Sequence, residues 1–209
     1  SFLITSPIVN EYVVVIMLAT FGWKITVAYI TLGILVGTIA GILMGRMKLE
    51  KYLEKDMQSK KVKEETFNSI QQRLTYGFTE AKSITKKLWL WILLGVAIGA
   101  VIHNVVPAEF IERLMNKAGF LSVPLAVILG VPMYGNSAGI IPIIVALFEK
   151  GVPLGTALAF MMSITALSFP EAIILRRAMK LKLIGIFFGI VALGIVLAGF
   201  LLNIMQGIL

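Results

Sequence analysis

The chain contains no cysteine and a single histidine, His103. Disulfides, thiol redox chemistry and thiolate metal ligation are therefore excluded within these residues. A lone imidazole builds no metal cluster. No Ser-His-Asp arrangement, phosphate loop or dinucleotide fingerprint is present. The sequence thus offers no catalytic residues and calls for no cofactor or metal, and an enzyme is not expected. Charge is scarce as well: 14% of the 209 residues are charged, against about 25% in a soluble domain.

The segregation of the charges matters more than their number. Residues 88–108, 118–148, 151–170 and 183–209 hold no Asp, Glu, Lys or Arg, and between Tyr12 and Gly45 the one charge is Lys24. A spanning helix needs roughly 20 mostly apolar residues to cross about 30 Å of hydrocarbon. A helix on a soluble core would alternate polar and apolar faces instead. With 58% hydrophobic residues and a mean hydropathy of +0.94, the chain reads as an all-α integral membrane protein. Its opening, Ser1-Phe2-Leu3-Ile4, has no basic stretch ahead of the apolar run, so it reads as the interior of a longer membrane protein rather than a signal peptide.

Three blocks follow: a membrane block over 1–45, a basic linker over 46–87 and a second membrane block over 88–209. The linker has eleven basic and six acidic residues, no Pro and one Gly, Gly77. Good helix formers dominate it, which predicts a largely helical segment broken near Gly77. Its basic excess beside apolar spans places it in the cytoplasm. The net charge of +8 is then a matter of topology, and nucleic acid is not an expected partner.

A weak internal repeat relates the membrane blocks. Shifted forward by 158 residues, 1–47 falls on 159–205 without a gap, and Phe2, Lys24, Leu35, Ala40, Gly41, Leu43 and Met47 meet identical residues. Each copy reads as an apolar stretch, a short break and a second apolar helix. The first break, Phe21-Gly22-Trp23-Lys24, has one basic residue. The second, 176–182, has Arg176, Arg177, Lys180 and Lys182. The positive-inside rule puts the second break in the cytoplasm and the first outside, so the copies are inverted, a recurrent construction in transporters.

Counting crossings on this basis leaves residues 120–150 beginning and ending outside. Two spans need about 40 residues, and the stretch interrupts itself at Pro132-Met133-Tyr134-Gly135-Asn136-Ser137-Ala138-Gly139. A re-entrant hairpin of two half-helices is expected, preceded by an amphipathic interfacial helix over 108–119 and followed by a helix over 154–175. The expected fold is an inverted-repeat helical bundle with this hairpin and a helical cytoplasmic linker.

Irregular backbone at membrane depth is tolerated where it is buried in protein or lines a wet cavity. Tyr134, Gly135, Asn136 and Ser137 are therefore candidate substrate-binding residues, against the alternative of an ordinary polar turn. Asn10 and Ser168 are candidates too, because each copy holds a proline, polar groups and a carboxylate in an apolar stretch: Thr5-Ser6-Pro7 with Asn10-Glu11, and Ser163, Thr165 and Ser168 with Pro170-Glu171. Glu11 and Glu171 are the only acids within the long apolar stretches, which makes them candidates for proton or ion coupling. A salt bridge to Arg176 or interfacial exposure is the plainer alternative for Glu171. Gly33, Gly37, Gly41 and Gly45, four apart, read as a close helix-packing face. His103-Asn104 reads as a helix-end or interfacial pair.

The run Val131-Pro132-Met133-Tyr134-Gly135-Asn136, with Glu149-Lys150-Gly151-Val152-Pro153-Leu154-Gly155, Ala157–Met162 and the opening Ser1–Asn10, resembles the prokaryotic predicted-permease family that includes the organoarsenical efflux permeases. The resemblance covers essentially the whole chain. It implies a multi-pass protein of the prokaryotic inner membrane, built of two related halves, of which this chain reads as one and a half repeats. It implies a membrane permease or efflux transporter, or a subunit of one, moving a small solute through a midplane site. The alternative is a non-transporting membrane anchor or assembly subunit that recruits a partner through 46–87. Expected partners are the bilayer, a small-molecule or ion substrate, and either a second copy or a separate partner half. Tyr134-Gly135-Asn136 offers no thiol, the ligand that trivalent arsenicals favour.

Overall fold

Asn10 and Ser168 cap helices at corresponding points of the two repeats. The Asn10 Oδ1 accepts from the amide of Val13 at 3.0 Å, and the Ser168 Oγ accepts from the amide of Glu171 at 3.3 Å. Both residues are extended, and both caps reach three residues ahead. These observations come from a computed structural model, which describes residues 1–53, 69–105, 108–135 and 137–207.

The helices in chain order are α1 (Phe2–Ile8), α2 (Glu11–Arg46), α3 (Ile70–Val105), α4 (Ala108–Lys117), α5 (Ser122–Gly130), α6 (Ser137–Glu149), α7 (Leu154–Ala166), α8 (Phe169–Leu175) and α9 (Leu181–Met205), with 3₁₀ turns at Leu49–Tyr52 and Gly119–Leu121. Among the described residues the single strand-like pairing is an isolated bridge between Leu53 and Met179. The segments Glu11–Arg46, Leu154–Leu175 and Leu181–Met205 are long and apolar enough to cross a bilayer, whereas Gly119–Gly130 and Gly139–Glu149 are shorter.

The 158-residue shift superposes the breaks as well as the residues. Moved by that amount, the end of α1 at Ile8 falls on Ala166, the end of α7. Asn10 falls on Ser168. Gly22, where α2 leaves helical geometry at φ 79 and ψ 174, falls on Lys180, immediately before α9. That conformation belongs to glycine, and the Thr26 hydroxyl donates to the Gly22 carbonyl it exposes, at 2.8 Å. The second part of α2, residues 23–46, is thus the counterpart of α9.

These two counterparts pack side by side and antiparallel. At one end the Lys180 amide donates to the Tyr52 carbonyl at 2.9 Å, just past α2. At the other, Trp23 and Lys24 line a common cavity with Met205. A groove of about 420 Å³ lies between the helices, and its lining is made of repeat mates, among them Leu35 and Leu193, Ile39 and Leu197, and Leu43 and Leu201. The other three pairs of its lining obey the same shift. The groove therefore lies on the pseudo-two-fold axis.

The glycine series does what its spacing predicts. A Cβ at Gly33 would meet Ile8 and Val9, one at Gly37 would meet Thr5, and one at Gly41 would meet Ser1, so α1 lies directly on this face. Gly45, beyond the end of α1, faces open space. In the second repeat Gly199, the mate of Gly41, meets Ala159, the mate of Ser1.

The core is centred on α7, where twelve of thirteen residues are buried and which contacts α1, α5, α6 and α9. One buried tie goes beyond the sequence expectations. The Tyr29 hydroxyl, at 1% exposure, donates to the Ile8 carbonyl at 2.9 Å and satisfies the open end of α1. Tyr29→Phe strands that carbonyl, which costs about 1–3 kcal/mol. The expected result is a lower melting temperature in detergent, and an unchanged one would show that the bond contributes nothing net.

Two expectations need correction. The helix does not break at Gly77: α3 runs unbroken from Ile70 to Val105. A single interior glycine costs only about 1 kcal/mol, too little to interrupt 36 residues. The stretch 154–175 is two helices rather than one, because Leu167 and Ser168 leave helical geometry and Pro170 cannot donate an intrahelical bond. Residues 54–68 of the linker lie outside the described residues.

Candidate functional site

Short helices α5 and α7 are parallel neighbours, tied at matching levels. At their starts, Ser122 Oγ and Thr156 Oγ1 share a hydrogen bond of 3.0 Å. Further along, a Cβ on Gly130 would fall against Ser163 and within 3.1 Å of the Phe160 carbonyl. Only glycine permits that approach. Past the ends of both helices, the Phe169 amide donates to the Val131 carbonyl at 2.7 Å.

That last bond joins the loop after α5 to the break between α7 and α8. Val131 keeps helical angles and Phe169 opens α8, and the non-helical backbone lies just beside them, at 133–135 and 167–168. The Gly135 backbone also sits over α7, where an added Cβ would lie 3.5 Å from Ile164. At 1.5 Å per residue, the 13 residues of α7 run about 20 Å. The turn and helix 119–130 run about 18 Å on the same scale. The loop and the break thus lie at one depth.

The hairpin returns to where it began. Lys150, after α6, pairs with Glu112 of α4 at 2.7 Å, and the Asn116 amide of α4 donates to the Lys150 carbonyl at 3.3 Å. The Glu112 carboxylate raises the Lys150 pKa above its usual range. Helix α4 is amphipathic, as its sequence predicts: Ile111 and Met115 are buried while Phe110 is exposed. So α5 leaves from the α4 end and α6 comes back to it, neither being long enough to span.

The amino-acid sequence over residues 1–204 matches the predicted permease family. The chain belongs to that family. Two curated relatives of the chain are the UPF0718 protein YcgR of Bacillus subtilis, 41% identical over 73 residues, and the UPF0718 protein MJ0584 of Methanocaldococcus jannaschii, 24% identical over 125 residues. Those matches cover 35% and 60% of this chain but only 25% and 34% of the relatives' own length. No solved structure matches it.

The sequence-predicted residues fall into distinct settings. Gly135 lies at the join of loop and break, with Tyr134 beside it in the loop, 39% exposed. Ser168, 3% exposed, lies at the join too, with its hydroxyl used in capping α8. Ser137 opens α6, and Asn136 lies outside the described residues. Glu171 stands half-buried in the first turn of α8, and Glu11 stands exposed in the first turn of α2, next to its cap Asn10. The two acids occupy the same turn of the two repeats, two residues apart in register. Sequence reasoning missed the carbonyl of Val131 and the hydroxyl of Tyr29. A tyrosine in the middle of an apolar helix was the available signal for the second, because a buried phenol needs a partner. Among the described residues no group of three His, Cys, Asp or Glu could hold a metal ion.

Proposed function

We propose that this permease-family chain moves a small solute through a site at the junction of the 131–136 loop and the α7–α8 break, with α5 and α6 forming a re-entrant hairpin. The observation that carries this reading is the 2.7 Å bond from the Phe169 amide to the Val131 carbonyl. The bond joins two helix ends that each border non-helical backbone, about 20 Å along helices that are themselves apolar. Such backbone is sustained inside a bilayer only by protein or by a wet path, and discontinuous helices at that depth are where transporters bind substrate. Tyr134 and Gly135 would face the solute, with Asn136 and Ser137 following in the chain. Asn10 and Ser168 would hold the two breaks open. Glu171 and Glu11 would carry the coupled proton or ion. The basic end, with Arg46, Arg176, Arg177, Lys180 and Lys182, would face the cytoplasm.

The chain has no cysteine, so a single thiol can be placed without removing others. Tyr134→Cys in intact cells is expected to react with a membrane-impermeant maleimide, whereas Leu158→Cys, in the buried core of α7, stays unlabelled. Failure to label Tyr134→Cys from either side of the membrane would mean that no aqueous path reaches the loop. The anchor reading rests on Ile70, Leu74 and Phe78, exposed along the polar half of α3. It leaves the joined breaks without a role.

A further inference from the structure

The groove on the pseudo-two-fold axis takes no part in the site just described, and it has a lysine and an aromatic ring at each end. All twelve of its lining residues are apolar or glycine. It follows α2 over residues 32–43, about 18 Å of helix. At one end it shares Leu32 with a cavity of about 530 Å³ lined by Trp23, Lys24 and Thr31. At the other end, Lys182 precedes Leu193 by eleven residues, three helical turns, and so stands on the same face of α9. Between them Gly185 and Gly189 are open, with nothing within 4 Å of an added Cβ. The glycines leave a smooth strip from the ammonium to the groove.

We propose that this groove is a phospholipid site, taking acyl chains from both leaflets, with headgroup phosphates on Lys182 at the basic end and on Lys24 at the opposite end. The two lysines are repeat mates. Their rims fall where headgroups lie, since α2 from Lys24 to Arg46 runs about 33 Å, close to the thickness of a bilayer's hydrocarbon. Trp23 and Tyr52 are the amphipathic rings that favour that level. The basic rim is the more cationic. Lys182 and Lys51 lie 5.2 and 5.1 Å from the centroid of the Tyr52 ring, and the Lys180 ammonium donates to the Lys51 carbonyl at 3.4 Å. That rim therefore selects an anionic headgroup. A second copy of the chain laid in the groove about a two-fold axis would set lysine against lysine at both rims, a like-charge contact that low dielectric makes expensive. A phosphate at each rim is attracted instead.

The test is native mass spectrometry of the full chain, delipidated in detergent and titrated with palmitoyl-oleoyl phosphatidylglycerol or the matching phosphatidylcholine. Wild type is expected to retain on the order of two phospholipids, with phosphatidylglycerol held more tightly. Lys182→Gln should lower phosphatidylglycerol affinity about fivefold and Lys24→Gln by a similar factor, while Lys117→Gln on α4 leaves it unchanged. Leu35→Trp with Leu193→Trp fills the groove and should remove the bound lipid, with helix content held by circular dichroism. Wild-type lipid retention by the tryptophan variant, or wild-type phosphatidylglycerol affinity in both glutamine variants, overturns the site. So does disulfide cross-linking between two chains through Leu193→Cys in native membranes, which would mean that a second copy covers the groove.

Discussion

Liposomes containing Glu171→Gln protein are expected to show proton-driven solute flux at about a hundredth of the wild-type rate or less, with the variant inserting at normal levels. Glu171 is one of two acids inside the long apolar stretches. It stands one turn from the junction of loop and break, half-buried, with its own amide held by the Ser168 hydroxyl. A carboxylate there is costly unless it works. Glutamine keeps the shape and the backbone cap but cannot release a proton. The effect should therefore fall on flux rather than folding. The transported solute is first found with wild type over a panel of small solutes under a pH gradient, and the variant is compared on that solute. Wild-type-like flux from Glu171→Gln would remove this residue from the mechanism.

Gly155→Ala should lower the melting temperature in detergent by about 6–12 °C, from about 3 kcal/mol of overpacking. A Cβ at this position would strike the Gly199 carbonyl and come within 2.6 Å of the Asn203 amide nitrogen, both backbone atoms that no rotamer change can move. Helix α9 must shift outward. It then loosens the 3.2 Å bonds through which Asn203 grips Thr156, one to the backbone amide and one to the hydroxyl. Gly189→Ala on α9 provides the control, since its Cβ meets open space. Equal melting of the two variants would show that the α7–α9 crossing tolerates being prised apart.

Much of the architecture was legible because it was written twice. Lys24 and Lys182, Leu35 and Leu193, and Gly41 and Gly199 set the repeat register in sequence, and the helix breaks follow the same shift. Four-residue glycine spacing revealed the α1 docking face, and the Pro132–Gly139 interruption revealed the turn of the hairpin. The breaks at Asn10 and Ser168 were harder to read. A small polar residue in an apolar run has two uses, contacting a solute or capping a helix, and composition does not separate them. Here both side chains are engaged in caps, so a role in transport would come through the backbone they hold open. The tie between Val131 and Phe169 left no trace in residue types at all, because it joins main chain to main chain across 38 residues.

The start of α7 depends on a part of the chain made much later. Its cap position is Pro153, which offers no side-chain acceptor. The Leu154 amide instead donates to Gln206 Oε1 at 2.9 Å, and the Thr156 amide to Asn203 Oδ1 at 3.2 Å, partners 52 and 47 residues downstream. As the ribosome delivers the chain, the most buried helix of the fold emerges with its opening amides bare. They find those partners only after α9 has been synthesised. The end of α9 therefore completes the first turn of α7, and a chain truncated before Asn203 would lack both of these partners.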